Sequence, residues 1–534
     1  MNKFLSDWLS HSEYWFSKDH LYDDYITETY GSLLETHIWE KNQTSLEYHL
    51  SCIILFDQVP RYVYRTEDPE KKIEFYLEKA LHIYTYLQKT YDISCLSAIQ
   101  WSFMALPMRH TRDSSNIIQV IQTTWSRLKN EDDPNEKLQY LRFLKACYQR
   151  MPLSQRKYIE TSVSPDTPLC YDLHDFSQYI NILSHCPIAH MTQVDIENGN
   201  IYCTMEEFIV KNKIKRLLIS LSGGVDSLVC SYVLKKLQVK WKFTLTAVHI
   251  DYTNRSPMEY EFVKDWCIYQ KIPLYTRHIT EIQRESCMKN GLRTTYEDYT
   301  KQVRFQTYKD VWNHLCVYPD FPKVLLGHNQ DDCFENILTN ICQKSRYENL
   351  MGMYKDHIID DIIFMRPLLS ISKKEIYSFA HNVGIPYLHD STPAWSQRGK
   401  IRDTVRPAME YWNSEMVPAL FELVERINEY EDISESFVKS MIDDTSSGSD
   451  GSKEIKLSYN TSLFSKTLWK KYFKRLYIPV SYKSLIHFIG HFEKDVHNNV
   501  QQSQVMLNKN TKMKIYMKKE HIHIKICTIN EVKL

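Results

Sequence analysis

From about residue 205 the sequence alternates short apolar, β-branched runs with stretches of helical period, and this alternation constrains the fold more than any other feature. Residues 216–221, 243–251, 274–279 and 324–327 have the texture of strands, whereas 227–237, 257–269, 299–314 and 333–342 carry apolar side chains at helical spacing. Strands alternating with helices form a parallel sheet covered on both faces. The expected fold is therefore α/β, a doubly wound parallel sheet over residues 205–440, with its ligand beyond the carboxyl ends of the strands.

The flanks read differently. In residues 1–165, Leu46, Leu50, Ile53 and Ile54, then Leu77, Leu81, Tyr84 and Leu87, recur at helical spacing, so an all-helical domain is expected. Residues 166–204, with Pro168, Pro187 and Asn198-Gly199-Asn200, read as a linker region. The polar run Asp443 to Ser452 reads as a flexible linker over 441–453. Beyond it, residues 454–534 read as a small basic α+β domain. Helices are expected over 466–475 and 482–492, and a hairpin joins 512–517 to 521–527 around Lys518-Lys519-Glu520.

Composition limits the function. The 534 residues carry 66 basic and 66 acidic side chains, a formal charge of zero, which argues against a uniform coat of polyanion. By segment, residues 1–200 hold 19 basic and 27 acidic side chains, 201–452 hold 31 and 34, and 453–534 hold 16 and 5. The positive end suits nucleic acid, and the acidic helical domain is expected to face away from it. No apolar run approaches the roughly 20 residues that cross a bilayer, and the start, broken by Lys3 and Asp7, has no signal-peptide core. A cytoplasmic protein is expected. Thirteen cysteines include no C-x-x-C pair, so free thiols are expected rather than a zinc ribbon or a cluster built on neighbouring cysteines.

The sharpest local signal is Ser220-Leu221-Ser222-Gly223-Gly224-Val225-Asp226-Ser227, which follows a strand and opens a helix. Paired glycines let backbone N–H groups approach an anion, and the helix adds unpaired N–H groups and the positive end of its dipole. Val225-Asp226-Ser227 stands where a P-loop would have Gly-Lys-Ser/Thr. A merely structural Gly-Gly turn is the bland alternative.

Ser222 to Ser227 resembles the S-G-G-x-D-S signature of the PP-loop ATP pyrophosphatases, and Leu326 to Glu335 resembles the G-H-x-x-D-D-x-x-E-T block of their tRNA-modifying members. Further stretches keep the order of the tRNA(Ile)-lysidine synthases: Ala247-Val248-His249 with Arg255, Arg304-Phe305, Arg366-Pro367-Leu368-Leu369, Asp390-Ser391, and Arg398 to Arg402 with Pro407. The resemblance covers about 210–410. It implies adenylylation of a tRNA base: the O2 of a wobble cytidine attacks the α-phosphate of ATP, pyrophosphate leaves, and the amine of free lysine displaces AMP at C2. Asp251-Tyr252-Thr253 replaces the family's N-H-G, while Asn336, Thr392-Pro393 and Gly399 depart from its later motifs. These departures bear on which groups act as base and nucleophile.

Such chemistry needs a phosphate cradle, a divalent metal and positive groups around the α-phosphate. Ser222, Gly223, Gly224, Val225, Asp226 and Ser227, with His249 and Arg304, are the candidate ATP-binding residues. Asp226 and Asp332 are the candidate Mg²⁺ ligands, because that ion prefers oxygen. Asp226, His328, Asp331, Asp332 and Glu335 are the candidate catalytic set. Asp331 and Glu335 share a helical face, for which helix capping is the alternative. Arg398, Lys400 and Arg402 are candidates to grip tRNA or ATP phosphates, against a solvated surface. Cys333 could relay sulfur, or be a buried apolar residue. In the C-terminal domain Lys466, Lys470, Lys471, Lys474 and Arg475 suit phosphate contact, whereas Trp469, Tyr472 and Phe473 at helical spacing suit a core.

At the other end, Tyr14-Trp15-Phe16, Leu55 to Arg61 and Leu106 to His110 resemble the helical, TPR-like DUF924 proteins, whose function is unassigned. Asp57, Arg61 and His110 line a site or form buried salt-bridged packing. The domain is also a candidate module for a protein partner. The resemblance thus implies an ATP- and tRNA-using ligase with lysine as its second substrate. A tRNA thiolase is the alternative within the same fold, and a catalytically silent tRNA-binding scaffold the alternative outside catalysis.

Overall fold

The computed structural model describes residues 1–11, 20–64, 69–111, 113–151, 159–164, 176–185, 196–197, 199–253, 257–315, 321–346, 348–390, 392, 394, 396–448, 452–458, 461–498, 500–509, 511–517 and 521–528. Tyr14-Trp15-Phe16, Arg255, Ser391, Pro393 and the turn at Lys518-Lys519-Glu520 lie outside the described residues. The chain divides into two compact units, Met1–Gln330 with Lys355–Ser391, and Asp331–Tyr354 with Thr392–Leu534. No helix among the described residues is long and apolar enough to cross a membrane.

The first unit is built on a seven-stranded sheet. Its central five strands are parallel, in the order Leu274–His278, Thr244–Asp251, Arg216–Ser220, Lys323–Leu325, Ile362–Met365. From Arg216–Ser220 the chain winds outward to one side, then returns to lay Lys323–Leu325 on the other. The crevice of a doubly wound sheet opens at such a reversal. Two antiparallel edges were not foreseen. Ile159–Val163, within the stretch read as helical, pairs with Leu274–His278, as its alternating Ile159, Thr161 and Val163 permit. Asp356–Ile359 and Ile362–Met365 form a hairpin whose turn residues, Asp360 and Asp361, both take positive φ (49° and 60°), as a tight two-residue turn requires.

Helix Val225–Trp241 is buried along Leu228, Val229, Val233, Leu234 and Leu237 on one side of the sheet. Each such side chain contributes about 1.5–3 kcal/mol by leaving water. On the opposite side lies helix Arg293–Leu315, whose Tyr299, Val303, Tyr308 and Trp312 belong to one continuous core with Leu218, Val248 and Phe364 of the sheet and with Trp8, Phe56, Trp101 and Leu144 of the helical region. A buried polar knot stitches this junction. Trp125 Nε1 donates to Tyr148 Oη (2.9 Å), Tyr148 donates to the Glu281 carbonyl (3.3 Å), and Glu281 Oε1 accepts from Tyr299 (2.9 Å) and Arg277 (2.5 Å).

In the second unit, helices Gln397–Lys400 and Arg406–Trp412 flank a π-helical turn, Ile401–Val405, and helix Met416–Asp443 follows. A five-stranded antiparallel sheet closes the chain. Its inner face (Ile455, Leu457, Ile522, Ile524, Ile526, Met513, Ile515) packs with Trp469, Tyr472, Phe473, Phe488 and Phe492 of helices Lys466–Arg475 and Tyr482–His497. Part of the run read as a flexible linker is ordered: Ser446–Ser447 pairs with Lys453–Ser458 at the sheet edge.

Candidate functional site

Strand Arg216–Ser220 ends at the centre of the sheet, where the Leu221 N–H still donates to the Val248 carbonyl (2.9 Å). The chain then turns through Ser222-Gly223-Gly224 into helix Val225–Trp241. Gly223 takes φ +80°, a region that L side chains rarely adopt, and a Cβ there would stand 2.4 Å from Leu388 Cδ1. Ser227 braces the turn. Its Oγ donates to the Gly224 carbonyl (2.9 Å), accepts the Ser222 N–H (3.2 Å) and lies 3.2 Å from Ser222 Oγ. A glycine turn held in this way before the first unpaired N–H groups of a helix is a cradle for an anion.

The loop after Lys323–Leu325 closes on the cradle from the other side of the crevice. A Cβ on Gly327 would lie 3.0 Å from the Asp226 carbonyl carbon and 3.1 Å from the Ser227 nitrogen; only glycine permits backbone contact this close. The same loop presents His328 and Asn329. Asn329, itself buried, donates through Nδ2 to Asp226 Oδ1 (2.9 Å), and Lys373 Nζ pairs with Oδ2 (2.5 Å). Neither Asn329 nor Lys373 was singled out from the sequence. Lys373 had a legible signal: Ser372 caps the Glu375 N–H (3.2 Å), so the Ser-x-x-Glu pattern puts a lysine at a helix start, where the dipole disfavours a cation unless a carboxylate faces it.

The two histidines differ in role. Arg366 Nε donates to His328 Nδ1 (3.1 Å). An arginine only donates, so Nδ1 is an acceptor and the ring proton sits on Nε2. Arg366 is buried and its guanidinium stands 5.7 Å from the Phe364 ring. His249 is buried and its Nδ1–H donates to the Leu221 carbonyl (2.8 Å), which ties its strand to the start of the glycine turn. Arg304 stands one helical turn from Tyr308, whose hydroxyl donates to Ser220 Oγ (2.7 Å) at the end of the central strand. Burial pushes Tyr308 up to about 12, and Arg304 pulls the other way. Asp251, where the resemblance would put an Asn, is engaged on both oxygens: Oδ1 accepts the Thr253 N–H (2.8 Å) and Oδ2 pairs with His278 (2.8 Å).

Asp331, Asp332 and Glu335 belong to the second unit, on helix Gln330–Cys342. There three arginines four residues apart meet the shared face of the carboxylates. Arg406 Nη1 pairs with Asp331 Oδ2 (2.5 Å), Arg402 Nη2 with Glu335 Oε1 (2.7 Å), and Arg398 Nε lies 3.2 Å from Glu335 Oε2. The last contact is an ion pair without hydrogen-bond alignment, which leaves Oε2 buried and unbonded among the described residues. Burial raises the Glu335 pKa against the pull of Arg402 and Arg398. Arg398 and Arg402 are thus committed to a carboxylate of their own unit, Lys400 is exposed, and Cys333 is buried as an apolar residue would be. Arg406 was not singled out from the sequence; its spacing of four from Arg402 was the available signal.

Asp226 offers hard carboxylate oxygens beside the cradle, in the place where the Lys373 ammonium supplies positive charge. Carboxylate oxygens of this kind are the donors that Mg²⁺ prefers.

Residues 198–409 match the family model of the PP-loop domain. The middle of the chain is a PP-loop domain. Residues 4–157 match the model of a bacterial protein of unknown function, DUF924. Among curated relatives, the tRNA(Ile)-lysidine synthase of Chlamydia muridarum is 30% identical over 203 residues, covering 37% of this chain and 59% of that protein. The tRNA(Ile)-lysidine synthase of Thermotoga sp. (strain RQ2) is 28% identical over 214 residues, covering 39% and 49%. The chain therefore spans about half to three-fifths of the length of these relatives. Among solved structures, the U34-tRNA thiolase NcsA from Methanococcus maripaludis with its [4Fe-4S] cluster is similar at 17% identity and a TM-score of 0.32, over 43% of this chain and 79% of that one.

Proposed function

We propose that this chain is an ATP-dependent tRNA-modifying ligase that adenylylates a tRNA base, with ligation of lysine to a wobble cytidine as its reaction. The carrying observation is the cradle: Gly223 at φ +80°, Gly327 in backbone contact with Asp226 and Ser227, and Ser227 bracing the turn. The curated relatives of the PP-loop domain bear the name of that reaction.

In this reading the N–H groups of the glycine turn and of the following helix hold the departing pyrophosphate. Arg304, and His328 through its Nε2–H, face the phosphates as charge develops on them. Arg366 holds the His328 ring in that tautomer. Asp226 would hold a Mg²⁺ ion, which would supply positive charge to offset that of the phosphates. The cytidine O2 forms its bond to the α-phosphorus as the bond to pyrophosphate breaks, and the lysine amine then displaces AMP at C2.

In this reading contact with tRNA falls to the C-terminal domain, where Lys466 and Lys474 are exposed. Lys470, Lys471 and Arg475 are paired with Glu348, Glu431 and Glu435. The outer face of the sheet carries Lys456, Lys512, Lys514 and Lys525 against Glu454, which pairs with Lys525 (2.7 Å), while Lys514 lies directly opposite Lys525. Like charges opposed across strands are destabilising alone, and a phosphate backbone relieves them.

The test incubates purified protein with labelled ATP, bulk tRNA and either lysine or a sulfur donor, and follows pyrophosphate and the nucleosides by mass spectrometry. Pyrophosphate release that needs both tRNA and lysine is expected. Release that needs sulfur instead transfers the protein to the thiolases, and no tRNA-dependent release in any condition refutes both.

A further inference from the structure

The helical domain contains a charged cluster that the PP-loop chemistry does not use. Asp57, at the end of helix Leu46–Asp57, has a side chain 1% exposed. Arg61 Nη2 donates to its Oδ1 (3.0 Å), His110 Nδ1–H lies 2.8 and 3.0 Å from its two oxygens, and Gln58 donates to Oδ2. These contacts satisfy the carboxylate and leave cations over. Arg109, beside His110 in the last turn of helix Ala98–His110, has a buried Nε with no hydrogen-bond partner among the described residues, and so does Arg61. Arg150 ends helix Pro134–Arg150, which packs along Ala98–His110, and is exposed.

The electrostatics agree. Burial lowers both Arg109 and Arg150, and Arg150 is lowered further by Arg61 and Arg109. Burial likewise brings His110 down to about 4, with the neighbouring arginines acting in the same sense and Asp57 against it. At neutral pH His110 is thus an uncharged donor, and three guanidiniums face one carboxylate. Salt-bridged packing accounts for Asp57, Arg61 and His110. It gives no reason to hold Arg109 at a half-buried place with its Nε unbonded among the described residues, which is costly for an ion. Arg109 and Arg150 both stand in the last turns of their helices, where they also complement the helix dipoles.

We propose that Arg61, Arg109, Arg150 and His110 form a binding site for a phosphomonoester dianion, anchored by Asp57. The surplus of two positive charges matches a group that carries about −1.5 to −2 at pH 7, and guanidinium forks suit phosphate oxygens. Arg150 and the partly exposed Arg61 stand on the open side of the cluster, where such a ligand enters.

The full chain is titrated with inorganic phosphate, with a nucleoside 5′-monophosphate and with succinate, by calorimetry and by thermal shift. The glycine turn also binds phosphate, so the readout is the difference between parent and variant, in which that contribution cancels. Arg109→Met is expected to weaken the affected binding by roughly tenfold or more. Its melting temperature without ligand should equal or exceed the parent's, because an unpartnered ion has gone. Arg150→Ala, at the exposed rim, should weaken binding at unchanged melting temperature and keeps the test open if Arg109→Met does not fold. Tighter binding of the nucleotide than of phosphate identifies a nucleotide as the source of the phosphomonoester, and the reverse identifies the free ion. Binding equal to the parent's in both variants, or succinate bound as tightly as phosphate, overturns the proposal. Pyrophosphate release at the PP-loop is read separately and does not depend on the outcome.

Discussion

Gly223 allows the sharpest test of the cradle, because its two constraints can be separated. Alanine there must adopt φ +80°, which costs an L residue about 1–2 kcal/mol. Its methyl would also stand 2.4 Å from Leu388 Cδ1 and 3.2 Å from Val263 Cγ2. Leu388 and Val263 are buried, so the collision has no free exit and adds about 1–3 kcal/mol of overpacking. Gly223→Ala should therefore lose about 2–5 kcal/mol in all. Leu388→Ala alone leaves a cavity and costs about 2–5 kcal/mol. Combined, the new methyl occupies space the leucine vacated, so the double variant should be more stable than the sum of the singles by about 1–3 kcal/mol, while the backbone strain remains. Urea denaturation followed by circular dichroism measures all four proteins of the cycle. Additivity within about 0.5 kcal/mol, or a Gly223→Ala protein as stable as the parent, refutes the close approach of Leu388 to the glycine turn.

Other consequences test the remaining groups. Asp226→Asn should abolish pyrophosphate release without unfolding the protein; turnover at the parental rate in that variant would dismiss the metal assignment. Arg402→Met leaves the buried Glu335 with the misaligned Arg398 as its remaining arginine. Removing one partner of a buried pair costs about 3–5 kcal/mol, discounted here to about 1–3 because Arg402 is 36% exposed, and a melting curve that does not move contradicts it. Burial takes His110 from 6.5 to about 4, so between those values the unfolded chain binds the proton that the folded chain refuses. Its contribution is complete above about 6.5 and is lost as the pH falls toward 4. His110→Gln should flatten that part of the stability profile, and an unaltered slope counts against the buried neutral histidine.

The parallel core of the fold was legible because strand and helix signals alternate with little ambiguity: helix 257–270 begins at the expected Pro257 and strand 244–251 ends at the expected Asp251. The edges were not. Ile159–Val163 is five residues long and finds its place through pairing with Leu274–His278, a contact more than a hundred residues away that no local period announces. In the site, the glycine turn could be read because its chemistry is local in sequence. Lys373 and Asn329 act on Asp226 across separations of 147 and 103 residues. Arg398 and Arg402 looked like free cations for the converse reason, since their counter-charge, Glu335, is more than sixty residues upstream.

Charge shows the same dependence on pairing. The total is zero, the last 82 residues are strongly basic and the first 200 acidic, yet these sums misplace the positive field. In the basic domain Lys471 is buried against Glu431 and Glu435 and Arg475 also pairs with Glu435, so helix Lys466–Arg475 spends much of its charge on its own unit. In the acidic domain Asp57 is outnumbered by Arg61, Arg109 and Arg150, and the surplus is positive. A paired cation contributes little field beyond its partner, whereas an unpaired one held at reduced hydration attracts an anion strongly. In the reading proposed above, phosphate is held at the outer face of the C-terminal sheet, where Glu454 offsets Lys525 but Lys456, Lys512 and Lys514 leave cations in excess, and at the guanidinium cluster of the helical domain, where Asp57 is likewise outnumbered.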